Sequence, residues 1–290
     1  MHKCISYWSM PGGMENTLPI ADALAQTQAA GFAGLELGVG PEGVITPQST
    51  QAECEAIRAQ IDASGLVVET LASGMSWGVN PTSDDPAVRQ KAVDLHTAAL
   101  QRAAWLGCKA MLFVPGVVVS PIAPSEIIRY DVAVQRAREA TTQLLDVAER
   151  VGVDLCLENV WNGLLLSPLE WIDFLDSFQS DRVGMYFDAG NLLGYHQHPP
   201  HWIEMLGQRI KRVHIKEFKD TFGFEGRYSF ARLGEGDVPW PETVAALEAI
   251  GYDGTIVAEM LPPAEGLLEQ TSEAMDRLFH FETTGKGSTR

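Results

Sequence analysis

Eight short apolar runs, each separated from the next by a helical stretch, constrain this chain more than any other feature. They are CISYW (4–8), GLELGV (34–39), LVVETLAS (66–73), AMLFVPG (110–116), VDLCLENV (153–160), VGMYFDAGN (183–191), IKRVHIKEF (210–218) and GTIVAEM (254–260). Most are apolar at successive positions rather than at alternate ones, the pattern of strands covered on both faces. Between them lie amphipathic windows such as TLPIADALAQTQAAG, QAECEAIRAQIDASG, PAVRQKAVDLHTAALQRAAWLG, DVAVQRAREATTQLLDVAERVG, SPLEWIDFLDSF and PETVAALEAIG. Several close on glycine just before the next run, at Gly31, Gly65, Gly107, Gly152 and Gly251, as helix C-caps do.

Strictly alternating strands and helices predict an α/β fold, a single closed (β/α)8 TIM barrel. An open doubly wound sheet is the alternative. It would bring a glycine-rich phosphate turn after the first strand, and SMPGGMENT at that place lacks the spacing. No linker or low-complexity block divides the chain. One domain is expected over 1–283, with the ETTGKGSTR end frayed and a disordered tail over 284–290.

Composition narrows the function. A formal net charge of −17 speaks against nucleic-acid partners, which need a basic face for phosphates. Cys4, Cys54, Cys108 and Cys156 are scattered and form no CxxC pair, so reduced thiols in a cytoplasmic protein are expected. The start MHKCISYWSMPGG has no long apolar core, so a signal peptide is not expected. No run approaches the ~18 apolar residues of a membrane span.

In such a barrel the functional face is the rim where strands end and βα loops begin. Four polar residues stand at the ends of consecutive runs: Glu158, Asp188, His214 and Glu259. Taken singly, each has an ordinary explanation: a glutamate can cap a helix, an aspartate can shape a turn, and a histidine can sit satisfied in a core. On the fifth to eighth strands together they put three carboxylates and an imidazole side by side, which repel unless a cation lies between. An oxygen-rich set with one nitrogen suits one divalent ion, Mn²⁺ foremost, with Co²⁺, Mg²⁺ or Zn²⁺ as alternatives.

Lys216, Lys219, Arg227 and Arg232 are dense for so acidic a chain and lead into the glycine-rich LGEGD. They read either as a solvated loop or as recognition of a phosphate or carboxylate, with Gly234 and Gly236 admitting backbone N–H groups. Lys216 lies two residues after His214, so on a strand it points the same way, and with Arg232 it is a candidate substrate contact. Trp8, Trp77 and Trp161 lie at or past strand ends, where they can form an aromatic wall against a ligand or simply pack the rim. His196, His198 and His201 in GYHQHPPHW read as a solvent-facing loop rather than ligands. Glu36 and Glu69 lie within strands, where a barrel-interior carboxylate needs a partner.

At LENVWN (157–162), FDAGN (187–191), VHIKEF (213–218), LGEGDVPW (233–240) and AEM (258–260) the chain resembles the xylose isomerase-like superfamily of barrels. The likeness is to its sugar-phosphate isomerase/epimerase branch and runs from Ile5 to about Phe281. It implies that Glu158, Asp188, His214 and Glu259 are the metal ligands. It also implies that Glu158 and Glu259 are the acid/base pair of a ketose or ketose-phosphate 3-epimerase working through a metal-stabilised cis-enediolate. Inverting a carbon needs one group to take the proton from one face and another to return it on the opposite face. The chain departs from some free-ketose epimerases in two places. Asn191 stands where they carry a histidine, nearer the phosphosugar pattern, and beyond the first glutamate Asn162 is the one polar contact offered.

The resemblance leaves open a lyase or dehydratase acting on an inosose or 3-keto-sugar, which shares the first half-reaction. A non-catalytic barrel subunit, the reading of another class, predicts a broken ligand set. The superfamily's abasic-site endonuclease is disfavoured by the acidic charge and the scarcity of histidine ligands. Expected partners are a small sugar or sugar phosphate and further copies of the chain in a homo-oligomer, with neither nucleic acid nor membrane.

Overall fold

The computed structural model describes residues 1–121, 126–221 and 227–281. The chain runs β1 (His2–Ser6), α1 (Ile20–Ala29), β2 (Gly34–Val39), α2 (Gln51–Ser64), β3 (Thr70–Ser73), α3 (Pro86–Leu106), β4 (Ala110–Phe113), α4 (Tyr130–Val151) and β5 (Asp154–Glu158). It continues through α5 (Pro168–Asp176), β6 (Val183–Asp188), α6 (Ala189–Leu193), α7 (Pro199–Leu206) and β7 (Ile210–Ile215). The last part is β8 (Glu217–Thr221), β9 (Arg227–Ala231), α8 (Trp240–Ala249), β10 (Thr255–Ala258) and α9 (Leu267–Phe279). Parallel pairing in the order β1-β10-β7-β6-β5-β4-β3-β2 closes a barrel, the expected (β/α)8 fold. The tail expected over 284–290 lies outside the described residues.

Local chemistry sets the helix boundaries. Thr50 and Glu53 form a reciprocal capping box at the start of α2, Asp85 caps α3 ahead of Pro86, and Ser167 caps α5 ahead of Pro168. In α4 the buried positions Ala133, Ala137, Ala140, Leu144 and Ala148 recur every three or four residues, giving one face to the barrel. The strands are buried on both faces: every residue of β2 and β6 is buried. Strand alternation then sends Cys156 and Glu158, Tyr186 and Asp188, and His214 and Lys216 inward. Ala72, Ala110, Leu112, Val114, Cys156 and Tyr186 pack together as a small cluster distinct from the main core.

Three expectations need correction. The third run is a strand only over Thr70–Ser73, with Val67 bridging singly to Gly34. The seventh run, read as one strand over 210–218, breaks at Lys216, and Glu217 begins the antiparallel hairpin β8–β9. That break is imposed from a distance. Glu217 accepts hydrogen bonds from the N–H groups of Phe218 (3.1 Å), Gly234 (2.8 Å) and Val238 (3.2 Å) and from Trp240 Nε1 (2.7 Å), pinning the loop beneath the hairpin. A Cβ at Gly236 would lie 2.3 Å from Glu217 Oε1, which explains that glycine. Finally, the GYHQHPPHW stretch contains the start of α7, because Pro199 and Pro200 fit a first helical turn that needs no N–H.

Among the described residues no helix is long and apolar enough to cross a membrane. The four cysteines are free and buried. Burial pushes the Cys108 and Cys156 thiols up to about 12, leaving them inert.

Candidate metal centre

The inward parity of β5, β6 and β7 and the residue following β10 bring Glu158, Asp188, His214 and Glu259 together. Each offers one ligand atom, and these atoms lie within 4.8 Å of one another. Register fixes the neighbours: Glu158 pairs with Tyr186 across β5–β6, and Asp188 with His214 across β6–β7. His214 Nδ1 stands 3.5 Å from Glu158 Oε1 and 3.6 Å from Glu259 Oε2. Asp188 does two jobs at once, since its Oδ1 accepts from Asn191 N at 2.9 Å and caps α6. The turn and ligand readings of this residue are therefore compatible.

Buried atoms without hydrogen bonds mark what kind of group the centre fits. Asp188 Oδ2, His214 Nδ1 and Glu259 Oε2 are inaccessible to solvent and have no hydrogen-bond partner. Stranding polar atoms in this way is costly, and three of them converge here. Lys216 Nζ lies 3.1 Å from Asp188 Oδ2 and 2.5 Å from Glu259 Oε2, ion-pair contacts that supply charge without hydrogen-bond geometry. The set fits a divalent cation in donor type, number and orphaned lone pairs.

Glu36 supplies the support that sequence reasoning left without a role. It projects from β2 to accept from His214 Nε2 at 2.7 Å and from the Tyr186 hydroxyl. With Nε2 committed, Nδ1 is the ring atom left to face the carboxylates. Burial alone would raise the Glu36 carboxyl, but the His214 charge and hydrogen bonds from His214, Tyr186 and Thr70 hold it below its ordinary value. Burial likewise opposes charge on His214 and Lys216, yet the surrounding carboxylates hold both above their usual values. Desolvation raises Asp188 and pushes Glu158 up to about 7. Glu69, expected within a strand, instead immediately precedes β3 and faces Lys109 and Arg212.

Asn159, which sequence reasoning did not single out, locks β5 to β6 by exchanging two 2.8 Å hydrogen bonds with the Asp188 backbone. Asn191 donates to Asn159 O at 2.9 Å and approaches Glu158 Oε1 at 3.5 Å. Gly190 permits this close fit, because a Cβ there would stand 2.4 Å from the Lys216 side chain.

Glu158, Glu259, Asn191, Lys216, Trp77 and Trp161 all line one cavity of about 480 Å³ above the centre. Asn162 does not. Its amide donates to Gly116 O at 2.8 Å and accepts from Leu164 N at 3.1 Å, so it ties two βα loops together. Arg232 is exposed and outside the lining, as is Lys219. The side chain of Arg227 lies outside the described residues. His198 and His201 are exposed, with rings in edge contact at 4.5 Å, and His196 is exposed as well; none borders the cavity.

The family model described as xylose isomerase-like TIM barrel matches residues 24–278. Curated proteins similar to the chain include D-psicose 3-epimerase of Ruminiclostridium cellulolyticum, 26% identical over 234 residues, which are 79% of this chain and 74% of that one. L-ribulose-5-phosphate 3-epimerase UlaE of Salmonella paratyphi C is 24% identical over 203 residues, 67% of this chain and 65% of that protein. The solved structure of D-psicose 3-epimerase with D-tagatose from Clostridium cellulolyticum H10 superposes with a TM-score of 0.79 at 22% identity. That match covers 96% of this chain and 99% of the other and attests the fold.

Proposed function

This chain belongs to the xylose isomerase-like TIM barrel family, and on that footing we propose that it is a metal-dependent epimerase inverting carbon 3 of a ketose. The observation that carries the reading is the pair Glu158 and Glu259, both bordering one cavity and both within 3.6 Å of His214 Nδ1. Similarity to ketose 3-epimerases supports the substrate class. The ligands would be Glu158, Asp188, His214 and Glu259, with Mn²⁺ the preferred ion of this donor set and Co²⁺, Mg²⁺ or Zn²⁺ the alternatives. When bound, the cation stabilises negative charge on the sugar's oxygens as the carbon-bound proton leaves.

The chain's own groups move the proton. Glu158, at the cavity floor beside Asn191, exchanges the proton on one face of the sugar. Glu259, beside Lys216, serves the opposite face, and Asn191 holds Glu158 in place. The decisive assay incubates the manganese-loaded protein with D-fructose in deuterated water. Deuterium at C3 of a recovered 3-epimer is expected. A product lighter by one water would replace the epimerase by a dehydratase, and absence of exchange from every ketose tried would end the reading.

Two further outcomes follow from the charges. Cation binding must displace the protons that Glu158 and His214 hold above their ordinary values. Affinity for Mn²⁺ is therefore expected to rise with pH, changing about tenfold per unit per displaced proton below about 7. Titration calorimetry in buffers of differing ionisation enthalpy reads both the affinity and the proton release. Glu36→Gln removes the charge behind His214 and is expected to weaken Mn²⁺ binding about 10- to 100-fold. Unchanged affinity would mean that Glu36 only packs.

The proposed location is the cytoplasm, consistent with four buried reduced cysteines. The proposed assembly is a homo-oligomer. Exposed Val119, Ile127, Leu166 and Leu169 lie on the fourth and fifth βα segments, which are tied by Val118 N to Asn162 O at 2.8 Å. Burial of such a patch between copies is favourable. Sedimentation equilibrium should return a multiple of 31.6 kDa.

A further inference from the structure

The cavity above the centre has a polar floor and apolar walls. Its polar groups converge at Glu158, Asn191, Lys216 and Glu259, whereas its sides are formed by Trp8, Met14, Trp77, Val79, Trp161 and Phe230. Met14 and Phe230 are 54% and 40% exposed and belong to the few large apolar side chains so exposed among the described residues. An apolar surface left open at a site mouth points to an apolar ligand group. The wall is also preorganised. Trp161 donates from Nε1 to Asn191 O at 2.8 Å, stacks on Phe230 at 5.6 Å and meets Phe218 edge-on at 5.3 Å.

Beyond the floor and the tryptophans, Ser73 and Asn16 are the polar side chains of the described lining. Ser73 Oγ bonds His96 Nε2 at 3.1 Å. The Asn16 amide nitrogen donates to Glu42 O and Ile45 O, which leaves its buried Oδ1 as an acceptor without a partner. A ketohexose occupies roughly 150–200 Å³ at close-packed density, so a cavity of about 480 Å³ leaves a large apolar volume that hydroxyls would fill badly. A phosphate fares no better. Among the described side chains Lys216 is the one cation in the lining, and its Nζ sits between Asp188 and Glu259.

We propose that the substrate is an unphosphorylated keto-sugar carrying an aromatic substituent, with its ketone and adjacent hydroxyl at the floor and the ring between Trp77, Trp161 and Phe230. The inference rests on the sugar-enolisation reading of the same site. It adds no bond change to that chemistry: a C–H bond breaks, its proton passes to a glutamate, and a proton returns to the same carbon. Aromatic groups held against an indole and a phenyl ring gain both apolar contact and ring-stacking attraction.

The test compares D-fructose, D-fructose 6-phosphate and the 1-O- and 6-O-benzyl ethers of D-fructose on the manganese-loaded protein. Binding is read by calorimetry and proton transfer by deuterium uptake, so the two can fail separately. At least one benzyl ether is expected to bind about 10- to 100-fold more tightly than fructose, and the phosphate no more tightly than fructose. Met14→Lys and Phe230→Ser are each expected to shrink the ratio of benzyl ether to fructose affinity. Benzyl ethers that bind no better than fructose, or a phosphate that binds better than both, would overturn the proposal whether or not deuterium is taken up. Tighter benzyl binding without any uptake would uphold the ligand class and remove the enolisation beneath it.

Discussion

Glu259→Gln is expected to slow interconversion of the two epimers by about 10²- to 10⁴-fold, or about 3–5 kcal/mol of barrier, while sparing deuterium exchange in one of them. Glutamine keeps the shape and one oxygen of the side chain but cannot take up a proton. If Glu158 and Glu259 serve opposite faces of the sugar, the variant still enolises the epimer whose hydrogen faces Glu158. It then returns deuterium to that same face. Glu158→Gln should show the complementary pattern, exchanging only the other epimer. A single-base enzyme would lose exchange from both epimers in one variant and from neither in the other. Both glutamates lie within the candidate ligand set, so metal content is measured alongside each rate. Intact interconversion by Glu259→Gln would remove this residue from the chemistry.

Chelation should produce the second large effect, and it is visible without any substrate. Asp188 Oδ2, His214 Nδ1 and Glu259 Oε2 are buried and lack hydrogen bonds, and the charges of Asp188, Glu259 and Glu158 converge on Lys216. A ligand present at 100 times its dissociation constant stabilises the native state by about 2.7 kcal/mol. For a domain of this size that corresponds to about 4–5 °C in Tm. Stripping with a chelator is expected to lower Tm by this amount and abolish exchange, with both restored by Mn²⁺. The sign of the pH dependence follows from Glu158, raised from 4.5 to about 7 by burial. Its contribution to the stability of the metal-free protein is present below pH 4.5 and is lost as pH climbs through about 7. His214, also raised, acts in the same sense. The gap between loaded and stripped Tm should therefore widen as pH rises across that window, and a Tm indifferent to chelator and Mn²⁺ would show that no ion binds.

The four candidate ligands were legible because each ends an apolar run, and an acid or imidazole at such a tip calls for a partner. Strand parity alone put Lys216 beside His214, and their proximity to Asp188 and Glu259 followed from adjacent strands. Glu36 was visible but mute, since its partner His214 lies 178 residues away and no local pattern announces a contact made by closing a barrel. The hairpin was hidden for a related reason. Lys216, Glu217 and Phe218 prolong the strand pattern, and the break comes from N–H groups 17 to 23 residues farther on. Asn162 was misplaced because a polar loop residue serves equally well to tie loops as to meet a ligand. The tryptophans were recognised as rim residues, but the apolar character of the whole cavity emerged only when loops from distant segments were brought together.

The pairing order of the staves has a consequence for how such a protein changes over generations. All four candidate cation-binding groups come from one arc of the cylinder, β5, β6, β7 and the residue after β10, whereas Trp8, Met14, Met75, Trp77 and Val79 follow β1 and β3 on the other arc. The candidate cation-binding groups and this part of the apolar wall are thus carried by separate stretches of gene, whereas Trp161 and Phe230 share the arc of the cation-binding groups. Loops after β1 and β3 can be swapped by recombination to reshape that wall while the four candidate ligands are inherited untouched.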